Sequence, residues 1–188
     1  VNTHALIRAS VRKILDTGHA YTWQRQGLGM LRLYLTPETR LHIWDTRLRV
    51  PDVSVVHDHP WDFRSYVVAG RIYNTRYEET STGRACSRTR IRCGPAGCAI
   101  AEPEQARLSM LRHEVVVAGR WYEQRADEIH ESAPDNGTVT LVERHFRSDT
   151  EHANVYHDTP TWVSAEPGPI SWEKVEPIVR LALDRWDA

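Results

Sequence analysis

The chain has 188 residues, 40% of them hydrophobic and 26% charged, which suits one globular domain with its own core and excludes a disordered polymer. Lys+Arg (24) and Asp+Glu (25) nearly cancel to a formal charge of -1, so a general nucleic-acid binder is not expected. No apolar run approaches the roughly 18 residues of a membrane span, so a membrane partner is not expected either.

Thr3 to Thr17 reads as a helix, because Ile7, Val11, Ile14 and Leu15 recur at helical spacing and Gly18 follows as a cap. From Leu28 to about Phe146 the runs become short, rich in Val, Ile, Tyr and Trp, and broken by Gly, Pro and Asp. The predicted strands are Met30–Leu35, Arg40–Asp45, Val53–His57, Ser65–Val68, Arg71–Glu78, Arg107–Leu111, Glu114–Val117, Tyr122–Arg125 and Thr138–Arg144. Many short strands with turns between them point to a sandwich or barrel rather than to βαβ units. Thr80 to Gly97 is the loosest stretch and is expected to form a flexible hairpin tip, and His152 to Pro169 reads as loop. Ile178, Val179, Ala182, Leu183 and Trp186 form one face of a final helix over residues 176–187, with Pro177 in its first turn. The whole chain, 1–188, is thus expected to be one domain, an all-β core with a helix on either side.

The cysteines, Cys86, Cys93 and Cys98, are odd in number and bunched together, which does not resemble a disulfide framework. With no basic-then-apolar leader at Val1-Asn2-Thr3-His4, the expected compartment is a reducing cytoplasm. Cys93/Cys98 and His152/His157 have zinc-like short spacings, but they lie far apart in the sequence and read as two unrelated loops.

The sharpest local signal is Val55-Val56-His57-Asp58-His59-Pro60-Trp61-Asp62-Phe63. Side chains two apart on a strand share a face, so His57 and His59 aim two imidazoles at one point, as two neighbouring ligands of a metal ion must. A third ligand has to come from elsewhere. His130, in Asp127-Glu128-Ile129-His130-Glu131 ahead of the strand Thr138–Val142, is the candidate.

These residues resemble the cupin superfamily, whose fold is a double-stranded β-helix jelly roll. His57 and His59 match the paired histidines of its first motif and Gly70 the closing glycine; Gly119 and His130 match the opening glycine and the histidine of the second. Phe63 stands where the motif has Glu, Pro51 replaces the first glycine, and Arg125, Asp127 and Pro134 replace the second motif's Pro, Gly and Asn. The resemblance spans about residues 28–146 and implies a cupin-type barrel between the two helices. It is similar to the thiol dioxygenases, which also lack the Glu, and to a group of uncharacterised bacterial and phage cupin-like proteins. What it implies is one divalent ion, Fe(II) ahead of Zn, Ni or Mn, on His57, His59 and His130, with Asp62 a fourth ligand only if a bulge turns it inward. The activity implied is a mononuclear non-haem iron dioxygenase of a small thiol or carboxylate substrate. The alternatives are a non-catalytic ligand-binding or assembly cupin, and an oxygen-independent metal-dependent isomerase or lyase using Glu123, Glu128 or Glu131 as base. Arg32, Arg64 and Arg144 lie in or beside strands and are candidates for holding an acidic substrate. Tyr73 and Tyr122 are candidate donors to substrate, and cross-strand packing is their plainer role. A homodimer is implied by the resemblance alone.

Overall fold

The computed structural model describes residues 2–94, 97–146, 152–159 and 167–187. Helix α1 (Thr3–Asp16) starts where the side chain of Asn2 accepts from the backbone N–H groups of His4 and Ala5. Strands β1 (Gln24–Gln26), β2 (Met30–Tyr34), β3 (Thr39–Trp44), β4 (Val56–His57), β5 (Trp61–Ala69), β6 (Arg71–Gly94), β7 (Gly97–Ile100), β8 (Glu104–Val117), β9 (Trp121–Gln124), β10 (Ile129–Pro134), β11 (Val139–Phe146), β12 (Ala153–His157) and β13 (Gly168–Pro169) follow. Helix α2 (Trp172–Asp187) closes the chain.

The strands form two antiparallel sheets. One has the order β13-β1-β2-β3-β11-β5-β9; the other runs β10-β4-β12-β6-β7, with β8 and β10 also paired to β6. Period-two alternation divides the residues of the first sheet between two faces. Leu31, Leu33, Leu41, Ile43, Tyr66, Val68 and Val139 point outward and are buried under Val11 and Leu15 of α1 and Val175, Ile178, Val179, Ala182 and Trp186 of α2. Phe63, Val67, Tyr122 and Val142 point the other way and pack with Ile72 and Val116 of the second sheet. The space between the sheets is therefore only partly apolar.

Several expectations are corrected. The stretch from Thr80 is strand, part of the 24-residue β6 that pairs with β8 across a register shift between Glu79 and Arg84. Its many polar residues hide the alternation, yet Cys86, Thr89 and Ile91 are buried. Residues 95–96 of the expected tip lie outside the described residues. β12 and β13 occupy parts of the expected loop, whose residues 160–166 also lie outside them. Helix α2 begins four residues earlier than residue 176, with Ser171 accepting from the N–H groups of Lys174 and Val175, so Pro177 sits inside it. The lost backbone bond is offset by burial: Val175 is fully enclosed and Trp172 packs beside His19. Cys98 is disulfide-bonded and its backbone lies opposite Cys93, while Cys86 is free, so the cysteines are not all reduced thiols. Among the described residues, no helix is long and apolar enough to cross a membrane.

Candidate metal centre

The short strand β4 is held on both sides. His57 pairs with His130 of β10 and with Val155 of β12. Asp58, between the two histidines, points away from them and is almost wholly buried. Its carboxylate accepts from the backbone N and the side-chain Nδ2 of Asn154, each at 2.6 Å, while its own N–H donates to Asn154 O at 3.0 Å. Burial pushes the Asp58 carboxyl above its usual range, and the Asn154 hydrogen bonds pull it back. Asp58 thus clamps the end of β4 to β12, which fixes the aim of the residues on either side.

That aim brings His57, His59 and His130 together. One nitrogen from each ring lies within 4.8 Å of the others, and this is the one cluster with metal-ligand geometry among the described residues. The ring centroids of His57 are 4.7 Å from His59 and 4.8 Å from His130. The Nε2 atoms of His59 and His130 are 3.2 Å apart. Two ligands about 2.1 Å from a shared ion, at octahedral or tetrahedral angles, stand about 3.0–3.4 Å apart, so this pair fits.

The outer nitrogens settle which atoms face the centre. His57 Nδ1 lies 2.9 Å from Val55 O, a pure acceptor, so it carries the proton and leaves Nε2 bare. His130 Nδ1 lies 3.3 Å from Asn74 Oδ1, and the amide nitrogen of Asn74 donates to Glu114 Oε1 at 3.2 Å. This chain fixes the amide's orientation and makes His130 Nε2 a lone pair. Burial lowers all three rings below the usual histidine range, with His59 and His130 further depressed by neighbouring cationic groups. Neutral imidazoles are the form that binds metal.

The walls are aromatic. Trp61 stacks on His59 at 4.2 Å and 21°. Phe63, 6% exposed, stands 5.4 Å from His59 and 5.9 Å from His130. Asp62 does not join the cluster; its Oδ1 accepts from Ala126 N at 2.6 Å on the opposite side of β5. The donor set is three imidazoles and no carboxylate.

The other candidates divide. Tyr122 faces inward but stands one ring away, its edge against Phe63 at 6.0 Å, and burial raises its hydroxyl above the usual tyrosine range. Tyr73 faces outward and stacks on His113. Arg64 also faces outward, paired with Glu143 and lying over Trp121. One-residue alternation along β5 and β6 sends both away from the histidines. Arg32 and Arg144 do face inward: both guanidinium groups lie over Tyr34, and Arg144 lies over Trp61 as well. Of the acids considered as bases, Glu131 accepts from Tyr77 Oη at 3.1 Å, Glu128 accepts from Arg125 N at 2.9 Å, and Glu123 is exposed opposite Arg64.

Sequence reading missed two inner-face residues, Arg40 and His42, although the alternation Arg40-Leu41-His42-Ile43-Trp44 beside the apolar Leu41 and Ile43 carried the signal. Both are buried, at 7% and 6% exposure. Burial, helped by the nearby cations Arg144 and Arg32, lowers Arg40 to about 9. His42 is held well below the usual histidine range by burial and by Arg40, Arg32 and Arg144.

No protein-family model matches this sequence, and a search of curated proteins finds no relative.

Proposed function

We propose that the three histidines hold one divalent metal ion inside a cupin-type jelly-roll barrel, and that the protein is a mononuclear non-haem iron dioxygenase of a small anionic substrate. The observation that carries this is the convergence of three neutral imidazoles, His130 buried and His57 and His59 half-buried, from β4, the turn after it and β10, with no carboxylate among them. When bound, such an ion supplies Lewis acidity and a common template for substrate and dioxygen, because three neutral ligands leave its charge uncancelled and its remaining positions open.

The chain's own residues do the rest. Val55 O and Asn74 Oδ1 hold protons on the outer nitrogens of His57 and His130, so both rings keep their inner lone pairs available. Trp61 stacks on His59 and Phe63 meets its edge, and together they fix the plane of that ring. Phe63 takes the place of an anionic ligand and leaves that position to an anionic substrate. Tyr122 keeps its proton, since burial raises its hydroxyl, and packs behind Phe63 as support. The oxygen-independent lyase reading has less support: Glu123 is exposed opposite Arg64 and Glu128 accepts from Arg125 N, while Glu131, which accepts from Tyr77 and acts electrostatically on His57, is the acid left beside the cluster.

The test is metal analysis of untagged protein, followed by oxygen-uptake measurements with small thiols and carboxylates. Iron near one atom per chain, substrate-dependent oxygen uptake, and loss of metal in His57→Ala are expected. Unchanged metal content in His57→Ala would overturn the centre; full metal occupancy without oxygen uptake for any substrate would overturn the dioxygenase.

A further inference from the structure

Beside the histidine cluster the inner face of the first sheet carries a second group of polar side chains. Arg32 comes from β2, Arg40 and His42 from β3, and Arg144 from β11. The register pairs Arg32 with His42 across β2 and β3, and Arg40 with Val142 across β3 and β11, so the four stand on adjoining strands. Their guanidinium groups surround two aromatic rings. Arg32, Arg40 and Arg144 lie 5.0, 4.9 and 5.6 Å from the centroid of Tyr34, and Arg40 and Arg144 lie 5.2 and 5.4 Å from that of Trp61.

Counter-charge is missing where it is needed most. Arg32 donates to the neutral amide Gln24 Oε1, at 2.6 and 3.1 Å; Arg144 donates to the carbonyl of Pro37 and has the carboxylate of Glu38 acting on it. The charged groups acting on Arg40 are Arg144 and Arg32, both cationic, and the Tyr34 hydroxyl; no carboxylate is among them. Arg40 Nε is buried with no hydrogen-bond partner, and so are both ring nitrogens of His42. An enclosed guanidinium facing two others costs stability unless something neutralises it. Cation–π contact with Tyr34 and Trp61 recovers part of that cost but leaves the N–H donors unmatched.

We propose that Arg40 and His42, flanked by Arg32 and Arg144, form an oxyanion subsite that holds a phosphate-class dianionic group of the substrate, next to the histidine cluster. A dianion fits better than a single carboxylate, because among the described residues Arg32 and Arg40 have no carboxylate acting on them and Arg forks match tetrahedral oxyanions. Trp61 is common to both sites: the indole that stacks on His59 also carries Arg40 and Arg144. The arginine group thus adjoins the histidine cluster across the Trp61 indole. The rim is formed by Tyr34, 40% exposed, and half-buried Arg144, which gives the anion a way in. That the anion belongs to a substrate rests on the proposed metal-dependent function; that it binds does not.

The test is a thermal-shift and calorimetric titration of metal-free protein with inorganic phosphate, with sodium acetate and with sodium chloride, all at constant ionic strength. Phosphate should give a saturable rise in melting temperature, as a ligand that binds only the folded state must, and acetate and chloride should give at least tenfold weaker responses. Arg40→Met should abolish the phosphate-dependent rise while leaving the melting temperature in phosphate-free buffer equal or higher, because it removes an uncompensated charge; a merely structural arginine would lower it. His57→Ala should keep phosphate binding and lose metal, whereas Arg40→Met should keep metal binding. Absence of a saturable response in the wild-type protein overturns the subsite whether or not any variant folds, as does an equal response to acetate or an unchanged response in Arg40→Met. Phosphate binding without metal binding in the wild type would retain the subsite and remove the proposed reaction.

Discussion

Metal-free protein should unfold in mild acid, before its carboxylates titrate. His42, His59 and His130 are all held well below 6.5, and His57 is lowered too, with burial the largest cause in each case. In the unfolded chain each ring takes up a proton near pH 6.5; in the folded chain it stays neutral to lower pH. The unfolded state therefore binds more protons below pH 6.5, so stability is complete above that pH and is lost as the pH falls. A ring that is charged when unfolded and neutral when folded contributes about 1.4 kcal/mol per pH unit, so the three strongly depressed rings give about 4 kcal/mol per pH unit. Against a total stability of about 5–15 kcal/mol, one to two pH units consume much of it. Asp58 opposes the trend, because its raised carboxyl gains a proton first in the folded state, but only by one group and only in the more acidic range. The assay is urea unfolding followed by tryptophan fluorescence on chelator-treated protein at several values between pH 7.5 and 5. His42→Leu, outside the histidine cluster, should flatten the slope by about one ring's contribution. A slope below about 1 kcal/mol per pH unit would falsify the claim that these imidazoles are buried in the neutral form.

Three further outcomes follow from the contacts. Asn74→Ala removes the acceptor that orients His130, so metal affinity should fall about 10- to 100-fold in a competitive chelator titration, with the folded circular dichroism spectrum retained. Asp58→Ala leaves two donors of Asn154 without an acceptor and should cost about 2–5 kcal/mol in urea unfolding, with weaker metal binding as β4 loosens; an effect below about 1 kcal/mol would refute the clamp. Gly70 joins β5 to β6 at a φ of 78°, and a Cβ there would stand 2.9 Å from Thr138 Cα, so Gly70→Ala should lower stability by more than about 1 kcal/mol, seen as a lower melting temperature.

The histidine pair was legible because alternation on a strand is a local rule: His57 and His59 had to share a face wherever that strand went. His130 needed the motif spacing, since its approach depends on β10 pairing with β4, which no local pattern encodes. Strand β12 was missed for a related reason. Ala153–His157 has weak periodicity of its own and becomes a strand because β4 and β6 both have edges for it to fill. The inward set of arginines was only half legible. Arg144 and Arg64 read alike as isolated strand residues; a single position's difference in phase sends Arg144 over Trp61 and Arg64 out to Glu143. Helix α2 shows the opposite failure, a strong local rule against Pro177 overridden by tertiary burial of Val175 and by the packing of Trp172.

The two terminal helices make a polar interior affordable. In an ordinary two-sheet sandwich the inner faces are the hydrophobic core and the outer faces meet water. Here the first sheet is apolar on the outside, where α1 and α2 cover Leu31, Leu41, Ile43 and Val68, all completely buried. At about 25 cal/mol per Å² of apolar surface removed from water, that layer provides stability the inner face does not have to supply. The inner face can then carry Arg32, Arg40, His42 and Arg144, opposite the histidine cluster that β4 and β10 of the second sheet supply, groups that weaken a core but suit ions. The apolar cluster of Phe63, Val67, Tyr122 and Val142 with Ile72 and Val116 is the smaller one and joins the two sheets. In this arrangement the helices take over the role of the core and leave the space between the two sheets to polar groups.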